Sequence, residues 1–166
     1  MRPSSAFTIA ALLLGAACAP PAEAPATAAA TVDTAAAGQG LDDLRSRYIA
    51  LNNAGDAAGL AALHADSAGV DILGVPRLRG RPAIQAAFAA DFAARKFTLT
   101  EIMPFSRSIR TDTEGTELGT YHNMFTVSGA GSHEWGRYVG AFRKRADGQW
   151  EIAYLMAFAD STRVAR

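Results

Sequence analysis

The sequence predicts an α+β domain in which three helices of the N-terminal half pack on a strongly curved, mostly antiparallel sheet. Apolar residues recur at three- and four-residue steps up to about residue 95, as on one face of a helix, and at two-residue steps after it, as on one face of a strand. Asp147-Gly148 lies between two apolar runs and is a strong hairpin signal. Helices followed by such a meander indicate a cone-shaped barrel whose open end forms a small-molecule pocket.

The domain is predicted to begin with two helices joined by a tight turn. Four residues share one face of the first helix: Leu41, Leu44, Tyr48 and Leu51. Gly55 suits the left-handed residue that ends a helix, and Asp56 suits the N-cap of the next one. Leu60, Leu63 and His64 give this second helix a short apolar face.

A short strand and a third helix follow. Residues 69–75 are rich in β-branched side chains, which favour a strand. Pro82 suits the first position of a helix, and Ile84, Phe88 and Phe92 follow it at four-residue steps. The helix is expected to end near Arg95, because positive charge is favourable at a helix C-terminus.

The C-terminal half is predicted to be a meander of long strands. The first run starts at Phe97, and the next two cover residues 115–127 and 134–144. The last run covers residues 150–158. Five large residues alternate along it and are predicted to share one face: Trp150, Ile152, Tyr154, Met156 and Phe158.

Composition excludes several classes of function. Basic and acidic residues balance at 16 each, so the chain has no nucleic-acid footprint and no polybasic membrane surface. A single cysteine excludes an internal disulfide framework and a cysteine-based zinc site. The histidines and carboxylates show no convincing metal-ligand spacing, so no metal and no cofactor is expected.

The N-terminal segment resembles a bacterial lipoprotein signal. Arg2 precedes an apolar stretch at residues 6–14, which is too short to span a bilayer, and Gly15-Ala16-Ala17 leads to Cys18. The resemblance implies a signal peptide over residues 1–18, with Cys18 as the lipidation site. It places the protein at the outer membrane, facing the periplasm. An ordinary secretory signal, which would give a soluble periplasmic or secreted protein, is the alternative.

A linker is predicted between this signal and the domain. Residues 19–40 are rich in Ala, Pro and Thr and carry no apolar face, as in a flexible tether. The folded domain is predicted over residues 41–160, followed by a C-terminal tail at 161–166.

Several segments of the predicted domain together resemble the SnoaL-like branch of the nuclear transport factor 2-like superfamily. They are Tyr48 to Asp56, His64-Ala65-Asp66, Arg79 to Ile84, Gly136 to Val139 and Asp147 to Ile152. The resemblance implies a cone-shaped α+β barrel, usually dimeric through the outer face of its sheet. The family includes isomerases, dehydratases, cyclases, hydrolases and non-catalytic binding domains, so the fold does not assign the function.

The ketosteroid isomerases are the relatives whose chemistry is easiest to compare. They remove a proton next to a carbonyl with an aspartate base, while a tyrosine and a protonated aspartic acid stabilise the enolate. By this resemblance Tyr48 matches the tyrosine, whereas the base position falls on Ile72 and the acidic donor on Gly140. Two of the three groups are therefore missing, and this isomerase chemistry is not expected.

Six candidate ligand-binding residues are predicted to face the cone: Tyr48, Tyr121, Asn123, Tyr138, Trp150 and Tyr154. The alternative is that the aromatic rings among them only fill the core. Three residues are candidates for catalysis: Tyr48, Glu101 and His64. Glu101 would be a general acid or base if it faced inward, because desolvation raises a carboxyl pKa, but an outward position is favoured. His64 is more simply explained as a packed core ring.

Three functional hypotheses remain. The first is an exported, lipid-anchored small-molecule-binding domain without a complete known catalytic set. The second is an isomerase or cyclase-like lyase for a small apolar or aromatic substrate, with Tyr48 as donor and Glu101 or His64 as acid or base. The third is a structural dimer whose cone is filled by its own side chains. The expected partners are a small apolar or aromatic ligand, a second copy through the sheet face, and a membrane only through the N-terminal lipid.

Overall fold

The computed structural model describes residues 32–165 of the chain. Three helices lie in the N-terminal half: α1 (Thr34–Ala54), α2 (Ala57–Ala62) and α3 (Arg81–Ala94). The strands are β1 (His64–Ile72), β2 (Leu78–Arg79), β3 (Lys96–Thr111), β4 (Glu114–Val127), β5 (Ala130–Lys144) and β6 (Trp150–Val164). None of the helices in this range combines the length and the apolar character that crossing a membrane requires.

The strands form one sheet in the order β2-β1-β6-β5-β4-β3. Strands β1 and β6 run parallel, and every other neighbouring pair is antiparallel. Register shifts interrupt the pairing of β3 with β4 and of β5 with β6, and such bulges bend a strand and increase its twist. The predicted fold class, three helices on a curved and mostly antiparallel sheet, is confirmed.

Helix α1 begins at Thr34, earlier than the start at Leu41 that the sequence indicates. Residues 34–40 therefore belong to the helix and not to a linker. The Asp33 carboxylate caps the helix by accepting a hydrogen bond from a backbone N–H of the first turn. Ala37 is 3 % exposed, so a side chain too small to mark an apolar stripe in the sequence still packs in the core.

Strands β1, β5 and β6 are longer than the apolar alternation indicates. Strand β1 starts at His64 rather than at residue 69, and β6 continues to Val164, into the predicted tail. The added part of β6 pairs with residues 132–135 of β5, so backbone hydrogen bonds hold it without an apolar face.

The core lies between the helices and the concave face of the sheet. One buried cluster joins α1 and α2 to the start of β6: Ala37, Leu41, Leu44, Leu60, Leu63, Trp150 and Ile152. A second cluster joins β1 to α3: Ala65, Ala68, Val70 and Ile84. Phe88 and Leu155 pack against both clusters, so they connect the two parts of the core.

A buried carboxylate connects α1 to the sheet. The Glu117 side chain on β4 is 3 % exposed, and its Oε1 accepts from Arg45 Nη2 at 2.9 Å and from Arg107 Nε at 2.6 Å. Its Oε2 accepts from the Tyr138 hydroxyl at 3.2 Å. Asp42 accepts from both arginines, and the Arg107 guanidinium lowers the pKa of the Asp42 carboxyl. Two carboxylates thus balance two guanidiniums between α1, β3 and β4.

His64 lies inside the fold, with no exposed surface. Its Nδ1 lies 2.9 Å from the Leu60 carbonyl oxygen, which can only accept, so Nδ1 carries the proton. Its Nε2 is buried without a hydrogen-bond partner among the described residues, and its ring lies 5.9 Å from that of Phe88. Burial lowers the pKa of His64. The favoured explanation from the sequence, a packed core ring, agrees with these contacts.

Replacing Glu117 by Gln is expected to lower the free energy of unfolding by about 3 kcal/mol, because two guanidiniums lose their buried carboxylate partner. Urea unfolding followed by circular dichroism measures this change. Asp160→Asn is the matched control, since Asp160 accepts from Arg137 on the surface and its loss should leave the unfolding midpoint unchanged. Equal midpoints for the two variants would contradict the structural role of Glu117.

His64 is expected to make stability depend on pH. Folding lowers the pKa of His64, so the unfolded chain takes up the proton first as the pH falls. The contribution of neutral His64 to stability is therefore complete above about pH 6.5 and is lost at lower pH. The free energy of unfolding of the wild type should therefore fall more steeply below that pH than that of His64→Leu. Parallel pH profiles for the two proteins would contradict this assignment.

Candidate functional site

A cavity of about 180 Å³ lies between helices α1 and α3 and the concave face of the sheet. Its apolar wall includes Leu44, Ile72, Phe88, Ile102, Phe142 and Leu155. Its polar wall includes Tyr48, Asn52, Thr100, Tyr121, Asn123 and Tyr138. A dry cavity of roughly 150 Å³ is enough to bind benzene, so this one has room for a ligand with a single ring.

Two glycines set the positions of the tyrosines on the sheet. Gly119 on β4 pairs with Tyr138 on β5, and Gly136 on β5 pairs with Tyr121 on β4. A Cβ atom at either glycine would collide with the ring of the tyrosine opposite. The absence of a side chain at these positions therefore lets each ring lie against the neighbouring strand and form part of the cavity wall.

Three phenols at the cavity stay protonated at neutral pH. Burial raises the pKa of Tyr48 to about 12, and the charge of Asp91 acts in the same direction. Burial also raises the pKa of Tyr121 and of Tyr138. Because the Tyr138 hydroxyl already donates to Glu117 and the Tyr121 phenol interacts with Glu134, the phenol of Tyr48 is the one of the three that is left to donate to a ligand.

One acceptor at the cavity has no partner. Asn52 Nδ2 donates to Thr100 Oγ1 at 2.7 Å, which satisfies that pair. In contrast, Asn123 Oδ1 is buried and accepts no hydrogen bond from any described residue. An unpaired buried polar group costs about 1–3 kcal/mol, so this oxygen favours a ligand that brings a donor.

A second charged cluster lies at the cavity wall, at the end of α3. Arg95 Nε donates to Asp91 Oδ1 at 2.5 Å, and Arg95 Nη1 lies 3.4 Å from Glu134 Oε2. The guanidinium lies over two aromatic rings, 4.8 Å from the centroid of Phe125 and 5.2 Å from that of Phe97. These cation–π contacts fix the position of the arginine between the two carboxylates.

The structure brings four of the six predicted ligand-binding residues together at the cavity: Tyr48, Tyr121, Asn123 and Tyr138. The prediction is wrong for the other two, which do not line it. Trp150 is 5 % exposed and belongs to the buried core. The Tyr154 hydroxyl donates to Asp71, away from the cavity. In β6 the pairing shifts between Ile152 and Tyr154, and this extra residue turns the following side chains to opposite faces, so Leu155 and Ala157 line the cavity instead.

Of the three candidate catalytic residues, only Tyr48 lines the cavity. His64 lies in the core, outside the cavity wall. The side chain of Glu101 is half exposed on the outer face of the sheet, where it accepts from His122 Nδ1 at 2.9 Å. A register shift between Phe97 and residue 99 explains its outward position, because Thr100 and Ile102 take the inward positions after it.

Sequence reasoning missed the charged residues of the cavity wall: Arg45, Asp91, Arg95, Glu117 and Glu134. The signal for two of them was present, since Glu117 shares the two-residue period of Tyr121 and Asn123, and Glu134 shares that of Tyr138. Asp91 and Arg95 lie one helical turn apart and carried no such signal. Within residues 32–165 no group of three or more His, Cys, Asp or Glu side chains is placed to hold a metal ion.

Comparisons with solved structures find the same fold. A ketosteroid isomerase-like protein from Erwinia carotovora atroseptica superposes with a TM-score of 0.68 at 15 % identity, over 74 % of this chain and 95 % of that chain. A type 2 hexachlorocyclohexane dehydrochlorinase gives a TM-score of 0.66 at 14 % identity, over 80 % and 90 % of the two chains. A protein of unknown function from Mycobacterium tuberculosis gives 0.66 at 21 % identity, over 74 % and 70 %. At these identities the likeness concerns the fold alone.

No curated protein sequence matches this chain. The sequence pattern of the SnoaL-like domain family matches residues 33–156, which extend from the N-cap of α1 into β6. The match and the cone-shaped fold agree, so this chain belongs to the SnoaL-like family of nuclear transport factor 2-like domains.

Proposed function

We propose that this protein is a small-molecule-binding SnoaL-like domain whose ligand occupies the cone cavity. The observation that carries this proposal is an open cavity of about 180 Å³ in which Asn123 Oδ1 has no partner. A cone filled by its own side chains, as in a purely structural dimer, would leave neither the space nor the unpaired acceptor. The phenol of Tyr48 adds a donor beside an apolar wall, which suits a small ligand that is apolar or aromatic at one end.

An isomerase or lyase acting on a small apolar or aromatic substrate is the second candidate. The Tyr48 phenol and the Asp91 carboxylate both line the cavity, and a donor beside a carboxylate is the minimum that proton transfer needs. A dehydrochlorinase is among the proteins with the same fold. Binding is favoured, because Arg95 Nε donates to Asp91 Oδ1 at 2.5 Å, so the carboxylate nearest Tyr48 is held in an ion pair and is not free to act as a base.

A homodimer through the outer face of the sheet is part of the proposal. Five large apolar residues are exposed there: Met103, Phe105, Leu118, Trp135 and Val139. Phe105 is 66 % exposed and Met103 is 53 % exposed on β3. Exposed apolar residues on three neighbouring strands favour association with another protein surface, and a second copy would cover them with the same residues.

Export and lipid anchoring at Cys18 complete the proposal. The signal-like segment and Cys18 lie outside the described residues, and the proposal rests on their sequence pattern. A lipid on Cys18 would hold the domain at the outer membrane, facing the periplasm. A soluble periplasmic or secreted protein remains the alternative.

Native mass spectrometry of the full chain in mild detergent tests binding and association together. We expect a dimer that carries a reproducible small-molecule adduct. Tyr48→Phe should lose the adduct, because it removes a cavity donor, whereas the control Tyr154→Phe should keep it.

Val139→Glu should give a monomer, because it places a charge on the apolar outer face. An adduct that survives Tyr48→Phe would refute the cavity site, and a monomeric wild type would refute the dimer.

Cys18→Ser tests the anchor. The variant is expected to remain in the membrane fraction as an unlipidated precursor with its signal attached. Metabolic labelling with a fatty acid, followed by fractionation and immunoblotting, measures both properties. Normal processing and release of the variant would show that the signal is cut elsewhere.

A further inference from the structure

The two charged clusters at the cavity wall differ in their charge balance. The first cluster joins α1 to the sheet, and in it Asp42 and Glu117 face Arg45 and Arg107, so its charges cancel. Both oxygens of Glu117 already accept hydrogen bonds, and Arg45 Nε is the one buried donor of this cluster without a partner among the described residues. This part of the wall is therefore electrically neutral.

The second cluster carries one negative charge in excess. Asp91 and Glu134 face a single guanidinium, that of Arg95, and the contact to Glu134 is long at 3.4 Å. Their side chains are 29 % and 16 % exposed, so the charges lie at the cavity and are shielded from full solvation. Within the described residues, Arg45 and Arg95 are the only cationic side chains of the cavity lining. The excess charge of the second cluster has no counter-ion there.

The unpaired oxygen of Asn123 lies beside this excess charge. Asn123 on β4 is directly opposite Glu134 on β5, and both side chains line the cavity. Residues opposite each other in an antiparallel pair have Cβ atoms about 5 Å apart. A single donor group placed between them can therefore reach the amide oxygen and the carboxylate at once.

Aromatic rings form much of the remaining wall. Tyr48, Phe88, Phe97, Tyr121, Tyr138 and Phe142 line the cavity. The faces of such rings carry negative electrostatic potential and attract cations. These ring faces, the unpaired oxygen of Asn123 and the excess carboxylate of the second cluster together favour a cationic over an anionic ligand at this end of the cavity.

We propose that the cavity selects a small protonated amine attached to a single aromatic or aliphatic ring. This inference rests on the proposed ligand-binding function and specifies the ligand class. The ammonium group donates to Asn123 Oδ1 and to the carboxylate of Glu134, which gives the unpaired oxygen its donor and the second cluster its missing positive charge. The ring occupies the neighbouring part of the wall, around Ile102 and the ring of Tyr121, which lie two residues along their strands from this site.

Three probes of similar size and different charge test this assignment: benzylamine, benzyl alcohol and benzoate. Isothermal titration calorimetry of the full chain at neutral pH measures their affinities. Benzylamine should bind at least about fivefold more tightly than benzyl alcohol, which corresponds to one exposed ion pair, and benzoate should bind most weakly. Benzylamine affinity should also fall with added salt.

Matched variants separate the charge from the cavity. Glu134→Gln should remove the preference for benzylamine over benzyl alcohol, because it removes the excess negative charge. Asp91→Asn, a second variant in helix α3, should also reduce the preference for benzylamine. Asp66→Asn removes the same charge from a side chain that is 88 % exposed and outside the cavity lining, so it should change neither affinity.

The outcomes distinguish this inference from the proposed function. Equal affinities for benzylamine and benzyl alcohol, or tighter binding of benzoate, would overturn the amine and leave a small-molecule site in place. A preference for benzylamine that survives both Glu134→Gln and Asp91→Asn would also overturn it. Failure of all three probes to bind would count against both the amine and the cavity as a site for single-ring ligands.

Discussion

The architecture of the cone depends on the buried carboxylate of Glu117. A charge at 3 % exposure is tolerated only when donors surround it, and Arg45, Arg107 and Tyr138 supply them from α1, β3 and β5. The same contacts determine where α1 crosses the open sheet. They also hold one tyrosine ring against the cavity wall. The contacts of Glu117 therefore contribute both to the stability of the domain and to the shape of its cavity.

The bounds of helices and strands could be predicted where the spacing of apolar residues matches the face that is buried. Helix α3 and strand β4 lie close to their predicted bounds, because their apolar stripes face the core directly. The start of α1 was misplaced, since its first turns are buried through Ala37 and Gly38, whose small size gives no apolar signal in the sequence. The added length of β6 was missed because strand pairing acts through the backbone and leaves no trace in side-chain alternation.

Residues of the candidate site could be placed from the sequence on strands whose pairing has no register shift. Tyr121, Asn123 and Tyr138 lie on β4 and β5, whose pairing is continuous, and they were placed correctly. Tyr154 follows a register shift in β6, and simple alternation fails beyond a bulge, whereas Glu101 has the outward position that was favoured. The ion pairs of the wall needed three-dimensional proximity, because Arg45 and Glu117 are distant in the sequence.

The extra residue in β6 has a consequence for how this cavity diverges among related chains. If Ala153 took a regular place in the ladder, the bulge would disappear and the rest of the strand would exchange its two faces. Tyr154 and Met156 would then replace Leu155 and Ala157 on the inside, so one phenol and one thioether would enter a wall that is now aliphatic. Forming or losing this bulge therefore offers such domains a route to new ligand specificity without replacing any residue of the wall.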